Sequence, residues 1–509
     1  MNASGLLPYQ IPSAEALLSV LRSNGGALDG SDMGTGKTFV AGAIIRELSL
    51  PTLVAVPAVS LSSWRRMGEA LGVAFDVQSL DLLRGGNTLF GRWENPPPKV
   101  RPLFFRCEVC QCEVDPARPF PCVHGPAGIH CVKTLKREHK YGKFVWHPGI
   151  RLLVVDEVHR CGSMDSLQGD MLVAAKRAGI LVLGLSATVG DSPLAFRALG
   201  YCLGLHGLVD SVKSRGLYSW AQKYGSRRLP MMGFQWPLGE GRKRAEMLKL
   251  HAELYPSRGH RVRISDLGNQ FPECQIVAEL VDLDSGGRLK DLYAQMEEQL
   301  RLMNERRDRD AQGPLSEFLR IRQQIGLLKV PVLAEFTRDW LDAGKHVALF
   351  VNYRAEVESL CKLLKTDCRV DGSQTGDRGR AQRDRNVDRF QSDEEPVIVC
   401  SSAAGGIAIG LHDLHGNFPR AGGILPGYSA REFRQVCGRL PRQGGKSKSF
   451  YRAIFAAGTP EEKGYRALTS KLNNLDALND GDLFPFENLP LVASANGHLT
   501  GSGSVIDLV

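Results

Sequence analysis

Short apolar runs recur along the chain, and they have the length of buried β-strands rather than of helices. They lie at Thr52–Val56, in LLVVD before Glu157, in ILVLGL before Ser186, in HVALFV and in PVIVC. Strands that are apolar on both faces are typical of parallel sheets covered by helices. The pattern therefore predicts an α/β protein with parallel sheets.

Amphipathic segments lie between these strands. LLPYQIPSAEALLSVL, FVAGAIIRELSL and a segment from about Ser60 carry apolar residues at helical spacing. From Val330 the pattern predicts a helix, the strand HVALFV and a second helix. Residues 378–389 are rich in Gly, Asp and Arg, and they predict a mobile loop before the next strand.

Composition narrows the class of protein. A chain of 509 residues has room for about three domains, and 43% hydrophobic with 23% charged residues is typical of globular proteins. The net charge of +9 suits a polyanionic partner. No signal peptide or membrane-spanning run is evident, and twelve cysteines in so long a chain do not indicate a disulfide scaffold. We expect a monomer of the cytoplasm (nucleoid-associated) or nucleus, without a membrane partner.

The stretch SDMGTGKT, Ser31–Thr38, ends like a P-loop. Gly34 and Gly36 would let backbone amides turn toward phosphate oxygens, Lys37 would add a charge for the β/γ-phosphates, and Thr38 would ligate Mg²⁺. The following helix would direct its N-terminal dipole at the phosphates. The strict pattern has Gly where this chain has Ser31. The alternative is a Gly-rich turn before an ordinary helix.

Asp156 and Glu157 follow a strongly apolar strand in RLLVVDEVH. Ligands of parallel sheets bind at the carboxyl ends of strands, where one carboxylate can hold Mg²⁺ and the next can orient or deprotonate water. The alternative is an acidic pair that only caps the strand.

Two arginines lie three residues apart in REFRQVCGRLPRQGG. On a helical segment Arg439 and Arg442 would share one face and could reach a single anion. A guanidinium suits the charge that develops on a transferred phosphoryl group. In isolation, two solvated arginines would be the simpler interpretation.

Taken together, the P-loop, DEVH (156–159), SAT (186–188), a Gly-rich turn before residue 411 and Gln435-x-x-Gly438-Arg439-x-x-Arg442 resemble motifs I, II, III, V and VI of the superfamily 2 DEAD/DEAH-box helicases. The segments around MLKLHAELYPSRGHRVRISDLGNQFPECQIVAELVDLD and FYRAIFAAGTPEEKGYRAL are similar to the connecting and brace regions of Swi/Snf-type, annealing-helicase-like DNA translocases. Motif VI looks more like the general superfamily 2 form, which leaves the subfamily open.

The resemblance implies roles for particular residues. Gln10 would recognise adenine; Arg442 would be the arginine finger and Arg439 its companion; Ser186, Thr188 and Gln435 would couple the ATP site to nucleic acid. The nucleotide-binding set would be Gln10, Met33, Gly34, Thr35, Gly36, Lys37 and Thr38. The catalytic set would be Lys37, Asp156, Glu157, Arg439 and Arg442, with Thr38 and Asp156 holding Mg²⁺.

The resemblance also implies two tandem RecA-like lobes. The expected division is lobe 1 over 1–210, a helical connecting region over 211–328, lobe 2 with the brace over 329–485, and a flexible tail over 486–509. The implied function is an ATP-dependent DNA helicase or translocase in replication, recombination or repair, acting on duplex or branched DNA. An RNA helicase and a nucleotide-gated DNA clamp with little turnover are the alternatives.

A cysteine-rich insertion interrupts lobe 1 at about 100–147. Cys107-x-x-Cys110 has zinc-knuckle spacing, and Cys122 and Cys131 would complete the site, because so short and Pro-rich a segment needs a metal to fold. His124, His130 and Cys112 remain alternative ligands, and unligated surface thiols are the other interpretation. Lys133, Lys136, Arg137, Lys140 and Lys143 follow as a candidate phosphate contact.

Overall fold

The computed structural model describes residues 4–94, 105–106, 113–114, 143–162, 166–207, 216–229, 233–283, 287–305, 312–374, 376–402, 409–427, 429–462, 465, 468, 491–493 and 507–508. Within these ranges the chain forms two α/β lobes, each built on its own sheet. The lobes face each other across a cleft that is lined by residues of both.

The helices of the described residues are, in chain order, α1 (Gln10–Asn24), α2 (Lys37–Leu48), α3 (Leu61–Leu71), α4 (Leu80–Gly85), α5 (Leu167–Arg177), α6 (Arg197–Cys202), α7 (Leu217–Gln222), α8 (Glu240–Leu254), α9 (Arg288–Glu305), α10 (Gln312–Asp342), α11 (Arg354–Leu364), α12 (Gly376–Gln391) and α13 (Ala430–Cys437). Across these described ranges, none of the helices is long and apolar enough to cross a membrane.

The strands are β1 (Gly26–Asp29), β2 (Thr52–Val56), β3 (Asp76–Ser79), β4 (Asn87–Thr88), β5 (Gly91–Glu94), β6 (Phe105–Arg106), β7 (Glu113–Val114), β8 (Lys143–Trp146), β9 (Leu152–Asp156), β10 (Leu181–Leu185), β11 (Arg227–Leu229), β12 (Gly233–Gln235), β13 (Gly259–His260), β14 (Cys274–Val281), β15 (His346–Val351), β16 (Arg369–Val370), β17 (Val397–Ser401), β18 (Arg420–Ile424), β19 (Ser449–Ala456), β20 (Leu491–Ala493) and β21 (Asp507–Leu508).

The first sheet has the order β13-β1-β10-β9-β2-β3, and every neighbouring pair is parallel. Helices α1, α2 and α3 cover one face, where Leu21, Ile44 and Trp64 are buried. Helices α5 and α6 cover the other, around Leu172 and Leu199. Because both faces are covered, β2 and β9 are apolar along their length, which is the pattern that predicted them.

The second sheet has the order β16-β17-β15-β18-β19-β14-β20. Its pairs are parallel except that β21 pairs antiparallel with β14. Helices α10 and α11 pack on one face around Leu333 and Leu360. Helices α12 and α13 pack on the other around Phe390 and Phe433. Two mixed α/β units with parallel sheets confirm the predicted α/β class and fit tandem RecA-like lobes. The zinc-binding insertion that was part of this prediction lies largely outside the described residues.

Residues 211–328, predicted as a helical connecting region, also contribute a strand to each of the two main sheets. They contain α8, α9 and most of α10, but β13 joins the edge of the first sheet and β14 joins the second. Residues 261–273 are therefore all that separates a strand of one lobe from a strand of the other. The domain boundaries given above remain a prediction.

Residues 378–389 are not a mobile loop, so that prediction was wrong. They belong to α12, whose buried face consists of Gly379, Arg383, Asn386 and Phe390 at helical spacing. Arg383 donates a hydrogen bond to the Gln374 carbonyl oxygen at 3.2 Å. The sequence did not predict this helix because its buried positions do not form an apolar stripe: Arg383 and Asn386 are polar, and the exposed face is charged.

Candidate active site

The motif residues converge because three parallel strands end in register. Asp29 of β1 lies beside Leu185 of β10, and Leu185 lies beside Asp156 of β9. The P-loop, Ser186 and Glu157 each follow directly from one of these strand ends. All three groups therefore leave the same edge of the sheet, where ligands of open α/β sheets bind.

A cleft of about 720 Å³ opens at this edge, between the lobes. Its first-lobe wall includes Gln10, the P-loop, Asp156 and Glu157. The second lobe contributes His412, Arg439, Arg442 and Gln443. This volume is in the range of pockets that bury a nucleotide-sized ligand.

Two glycines of the P-loop have backbone conformations that a side chain would strain. Gly34 has φ 83° and Gly36 has φ 84°. A Cβ on Gly36 would lie 2.1 Å from Gln10 Nε2, and one on Gly34 would meet Arg442 Cγ at 3.4 Å. With α2 beginning at Lys37, the loop is a Gly-lined turn into a helix N-terminus, which fits bound phosphate.

Lys37 lies inside this loop. Its Nζ donates to the carbonyl oxygens of Ser31 and Asp32, at 2.8 Å each. Burial lowers the pKa of Lys37, while Asp29, Glu157 and Asp156 act in the opposite direction. The Lys37 ammonium therefore lies at the P-loop, close to the carboxylates of Asp29, Asp156 and Glu157.

The two carboxylates at the end of β9, Asp156 and Glu157, have different surroundings. Asp156 Oδ2 accepts from Trp64 Nε1 at 2.9 Å, and Oδ1 accepts from the Glu157 amide at 3.0 Å. Burial and the neighbouring Glu157 raise the pKa of Asp156, and the Trp64 hydrogen bond opposes that rise. Thr38 and Asp156 line the same cleft, and their oxygens suit Mg²⁺.

Glu157 has a left-handed backbone conformation, with φ 54°. Its Oε2 lies 3.2 Å from His159 Nδ1. Burial raises the pKa of Glu157, but His159, Lys37 and Arg439 outweigh it and hold the pKa below its ordinary value. The side chain is thus an ionised acceptor facing the cleft, held in a strained backbone position of the kind found at functional sites.

Of the predicted coupling residues, Ser186 contacts the DEVH segment directly. His159 Nδ1 lies 3.0 Å from Ser186 Oγ, and the Thr188 amide donates to the same oxygen at 3.2 Å. Thr188 is fully buried. Gln435 is also buried, on α13 in the second lobe. A chain of contacts therefore links Glu157 through His159 to the segment after β10.

The second-lobe arginines do not lie on a helix, so that part of the prediction was wrong. Helix α13 ends at Cys437, because Gly438 and Pro441 do not continue it. Buried Arg439 donates to the Ile409 carbonyl oxygen at 3.2 Å and to Met33 Sδ at 3.9 Å. Arg442 follows in the same turn, and both side chains line the cleft.

Arg442 faces the P-loop directly across the cleft. A Cβ built on Gly34 would lie 3.4 Å from Arg442 Cγ and 3.6 Å from Arg442 Cα. Burial, with Arg439, lowers the pKa of Arg442, but a guanidinium stays protonated at neutral pH. The cleft therefore brings Lys37 and Arg442 together from distant parts of the chain. Their contact with the same terminal phosphate remains a prediction.

Gln10 is already engaged by the protein itself. Its Nε2 donates to the Thr35 carbonyl oxygen at 2.9 Å, and its Oε1 accepts from the Leu7 amide at 2.9 Å. Its position on the cleft wall agrees with a place near the nucleotide. Recognition of adenine by this side chain remains a prediction.

Sequence reasoning missed four residues of this site, Trp64, His412, Tyr9 and Gln443. Trp64 donates to Asp156, His412 lines the cleft beside Arg442, and Tyr9 donates to Gln443 Oε1 across the lobes at 2.9 Å. No motif marked them, although Trp64 lies on the helix that was predicted from about Ser60. Burial and Arg442 lower the pKa of His412 to about 4, so its imidazole is neutral at pH 7.

The predicted zinc ligands Cys107, Cys110, Cys122 and Cys131 lie outside the described residues, as do Cys112, His124, His130 and part of the Gly-rich turn before residue 409. In the part of the chain that is described, no three His, Cys, Asp or Glu side chains are grouped to hold a metal ion.

The fold and this cleft define a two-lobed P-loop nucleotide-binding protein. No protein-family model matches the chain. The chain is 30% identical over 496 residues to a protein of Acanthamoeba polyphaga mimivirus named "Putative ATP-dependent RNA helicase L364", and the match covers 95% of this chain and 85% of that protein. This chain therefore belongs to the ATP-dependent helicases, enzymes that hydrolyse ATP and bind nucleic acid.

Replacing Trp64 with Phe should weaken Mg²⁺-dependent nucleotide binding. Phe keeps a ring against Phe75 but removes the Nε1–H donor from buried Asp156. The Trp64 hydrogen bond lowers the pKa of Asp156, so its loss favours the neutral carboxyl, which is a poor Mg²⁺ ligand. A penalty of about 1.4 kcal/mol would lower the affinity for ADP with Mg²⁺ about tenfold, while the affinity in EDTA stays the same. Isothermal titration calorimetry with ADP, in Mg²⁺ and in EDTA, measures both affinities.

The matched control is Trp146→Phe, whose lost donor bonds the Met171 carbonyl oxygen away from the cleft. It should leave both affinities unchanged. Equal losses for Trp64→Phe with and without Mg²⁺ would contradict a specific role at Asp156.

Proposed function

We propose that this helicase is an ATP-dependent DNA helicase or translocase that acts in replication, recombination or repair. The observation that carries the proposal is the meeting of Lys37 and Arg442 in one cleft, from two separate lobes. A site divided in this way is complete only when the lobes are together, so hydrolysis and lobe movement are coupled.

The residues divide the work of phosphoryl transfer. The turn at Gly34, Thr35 and Gly36 would bind the phosphates through backbone amides, and Lys37 would add its charge. Thr38 and Asp156 would hold Mg²⁺, which when bound neutralises phosphate charge.

Glu157 would accept the proton of the attacking water, which agrees with its ionised state. Arg439 and Arg442 would stabilise the charge that develops on the transferred group. His159 and Ser186 would then transmit the state of Glu157 toward the nucleic acid, because they are in direct contact.

Two observations favour different nucleic acids. The similarity of the connecting region to Swi/Snf-type DNA translocases supports DNA as the substrate. This region is part of the fold, since its strand β14 belongs to the second sheet. The printed name of the mimivirus relative supports RNA as the second candidate. A clamp with little turnover is less well supported, because Glu157 and Arg442 both line the cleft.

Lys37→Ala and Arg442→Ala should each abolish nucleic-acid-stimulated ATPase without unfolding the chain. Loss of an arginine finger costs on the order of 10³–10⁵ in rate. Lys362→Ala and Arg338→Ala are the matched controls, since both side chains are exposed on α11 and α10. Steady-state ATPase with circular dichroism measures this, and full activity of either cleft variant would remove its assignment.

ATPase stimulation by duplex DNA, branched DNA, single-stranded DNA and RNA should be compared at one salt concentration, because binding to phosphates depends on salt. We expect the largest stimulation by duplex or branched DNA. Strand displacement and annealing, run side by side, separate unwinding from translocation. Stimulation by RNA alone would replace DNA with RNA in the proposal, and slow turnover with every nucleic acid would favour the clamp.

The zinc insertion is proposed from cysteine spacing alone. Cys107, Cys110, Cys122 and Cys131 should hold one zinc ion per chain, since thiolates at this spacing bind zinc with high affinity. Elemental analysis of the wild type and of Cys107→Ser measures it. We expect bound zinc in the wild type and loss in the variant; a metal-free wild type would refute the site.

A further inference from the structure

The segment that leaves β13 runs alongside the P-loop and is hydrogen-bonded to it. The Gly30 amide donates to the His260 carbonyl oxygen, and the Asp32 amide donates to that of Val262, at 2.9 Å each. The Val262 amide in turn donates to Ser31 Oγ at 3.0 Å. The serine that replaces the first P-loop glycine therefore provides an acceptor for the connecting segment.

Asp32, within the P-loop, is the main contact of this segment. Its Oδ1 accepts from Arg261 Nη2 at 2.8 Å, and its Oδ2 accepts from the Ile264 amide at 3.0 Å. The Arg261 side chain is only 4% exposed. Burial raises the pKa of Asp32, but Arg261, Arg434 and the Ile264 amide outweigh it, and the pKa lies below its ordinary value. An ionised carboxylate is thus built into the loop.

The second lobe approaches the same carboxylate. Arg434 Nη2, on α13, lies 3.9 Å from Asp32 Oδ1, at the outer limit of an ion pair. Helix α13 leads directly into the turn that carries Arg439 and Arg442. A movement of the second lobe that shortens the Arg434–Asp32 distance therefore also moves these two arginines.

Asp32 is also joined to the phosphate-binding lysine, because its carbonyl oxygen accepts from Lys37 Nζ at 2.8 Å. Phe271, beyond Ile264 in the connecting segment, lies against Gly34, with Cε1 at 3.4 Å from the position of a Cβ there. One residue of the P-loop thus contacts the connecting segment, the second lobe and Lys37.

We propose that Asp32 is a positioning residue that locks the P-loop to the connecting segment through Arg261 and Ile264 and provides the carboxylate on which Arg434 docks when the lobes close. The proposal rests on the proposed motor function for its consequence, since docking would set Lys37 and Arg442 at their working separation. The contact between Asp32 and the connecting segment does not depend on that function.

The test uses Asp32→Asn, Arg434→Gln and the double variant in the full chain. Asn keeps the shape but loses the charge, and it cannot accept from Arg261 and Ile264 with both of its polar atoms. Arg434→Gln should lower kcat of nucleic-acid-stimulated ATPase about tenfold with KM for ATP within about twofold, as expected for an interaction made on closure. The double variant should be no slower than Asp32→Asn alone.

Additive losses in the double variant, or an Arg434→Gln enzyme with unchanged kcat, would overturn the docking of Arg434 on Asp32. A rise in KM with unchanged kcat would overturn it as well, because that pattern belongs to a group that only supports nucleotide binding.

A second readout does not require ATPase activity. Amide hydrogen exchange of the peptide that covers 259–264 should be about tenfold faster in Asp32→Asn, because Asn keeps an acceptor for only one of Arg261 and the Ile264 amide and so weakens the contact that holds this segment on the P-loop. Asp266→Asn is the matched control, since Asp266 is paired with Arg263 in the same segment but is outside these P-loop contacts. It should leave this exchange unchanged.

The two readouts separate the proposals. If the wild type had no nucleic-acid-stimulated ATPase, the proposed helicase function and the docking of Arg434 on Asp32 would both be wrong. Hydrogen exchange would still test whether Asp32 holds the connecting segment on the P-loop. Unchanged exchange in Asp32→Asn would overturn the lock whatever the ATPase shows.

Discussion

The structure depends on the concentration of opposite charges in one buried cleft. Lys37, Asp156 and Glu157 come from the first lobe and Arg439 and Arg442 from the second, and all five line the same cleft. Burying any of these charges alone would be costly, and opposite charges offset that cost most clearly at Glu157, whose pKa is lowered by Lys37 and Arg439. The low pKa of Glu157 derives in part from Arg439, across the lobe boundary. Separation of the lobes would therefore change the electrostatics of the groups that act on phosphate.

The connection between the lobes limits how they can move. β13 extends the sheet that carries the P-loop, and β14 lies in the sheet that carries the arginine-bearing turn. Movement of one lobe on the other must be accommodated largely within 261–273, where Gly268 interrupts helical geometry with φ 54°. The same short stretch contacts Asp32 and Gly34. Nucleotide site and hinge are thus neighbours in space as well as in the chain.

Much of this could be predicted from the sequence. Buried parallel strands give continuous apolar runs, so β2, β9, β10, β15 and β17 were recognisable. The Gly-x-Gly-Lys-Thr turn and the carboxylates after β9 depend on local spacing, which sequence displays directly. Lys37, Asp156 and Glu157, which these features predict to act together, line one cleft.

The rest depends on tertiary contacts that spacing does not encode. Helix α12 was missed because its buried face includes Arg383 and Asn386. The prediction that Arg439 and Arg442 lie on a helix was wrong, because Gly438 and Pro441 end the helix at Cys437. Trp64 reaches Asp156, and Asp32 reaches Arg261, only through the assembled fold.

The most direct test is a structure of this protein with Mg²⁺ and a non-hydrolysable ATP analogue. The account predicts that Lys37 Nζ and the Arg442 guanidinium both lie within hydrogen-bond distance of the terminal phosphate. A bound analogue whose terminal phosphate contacts Lys37 while Arg442 points away, with the lobes already closed, would contradict it.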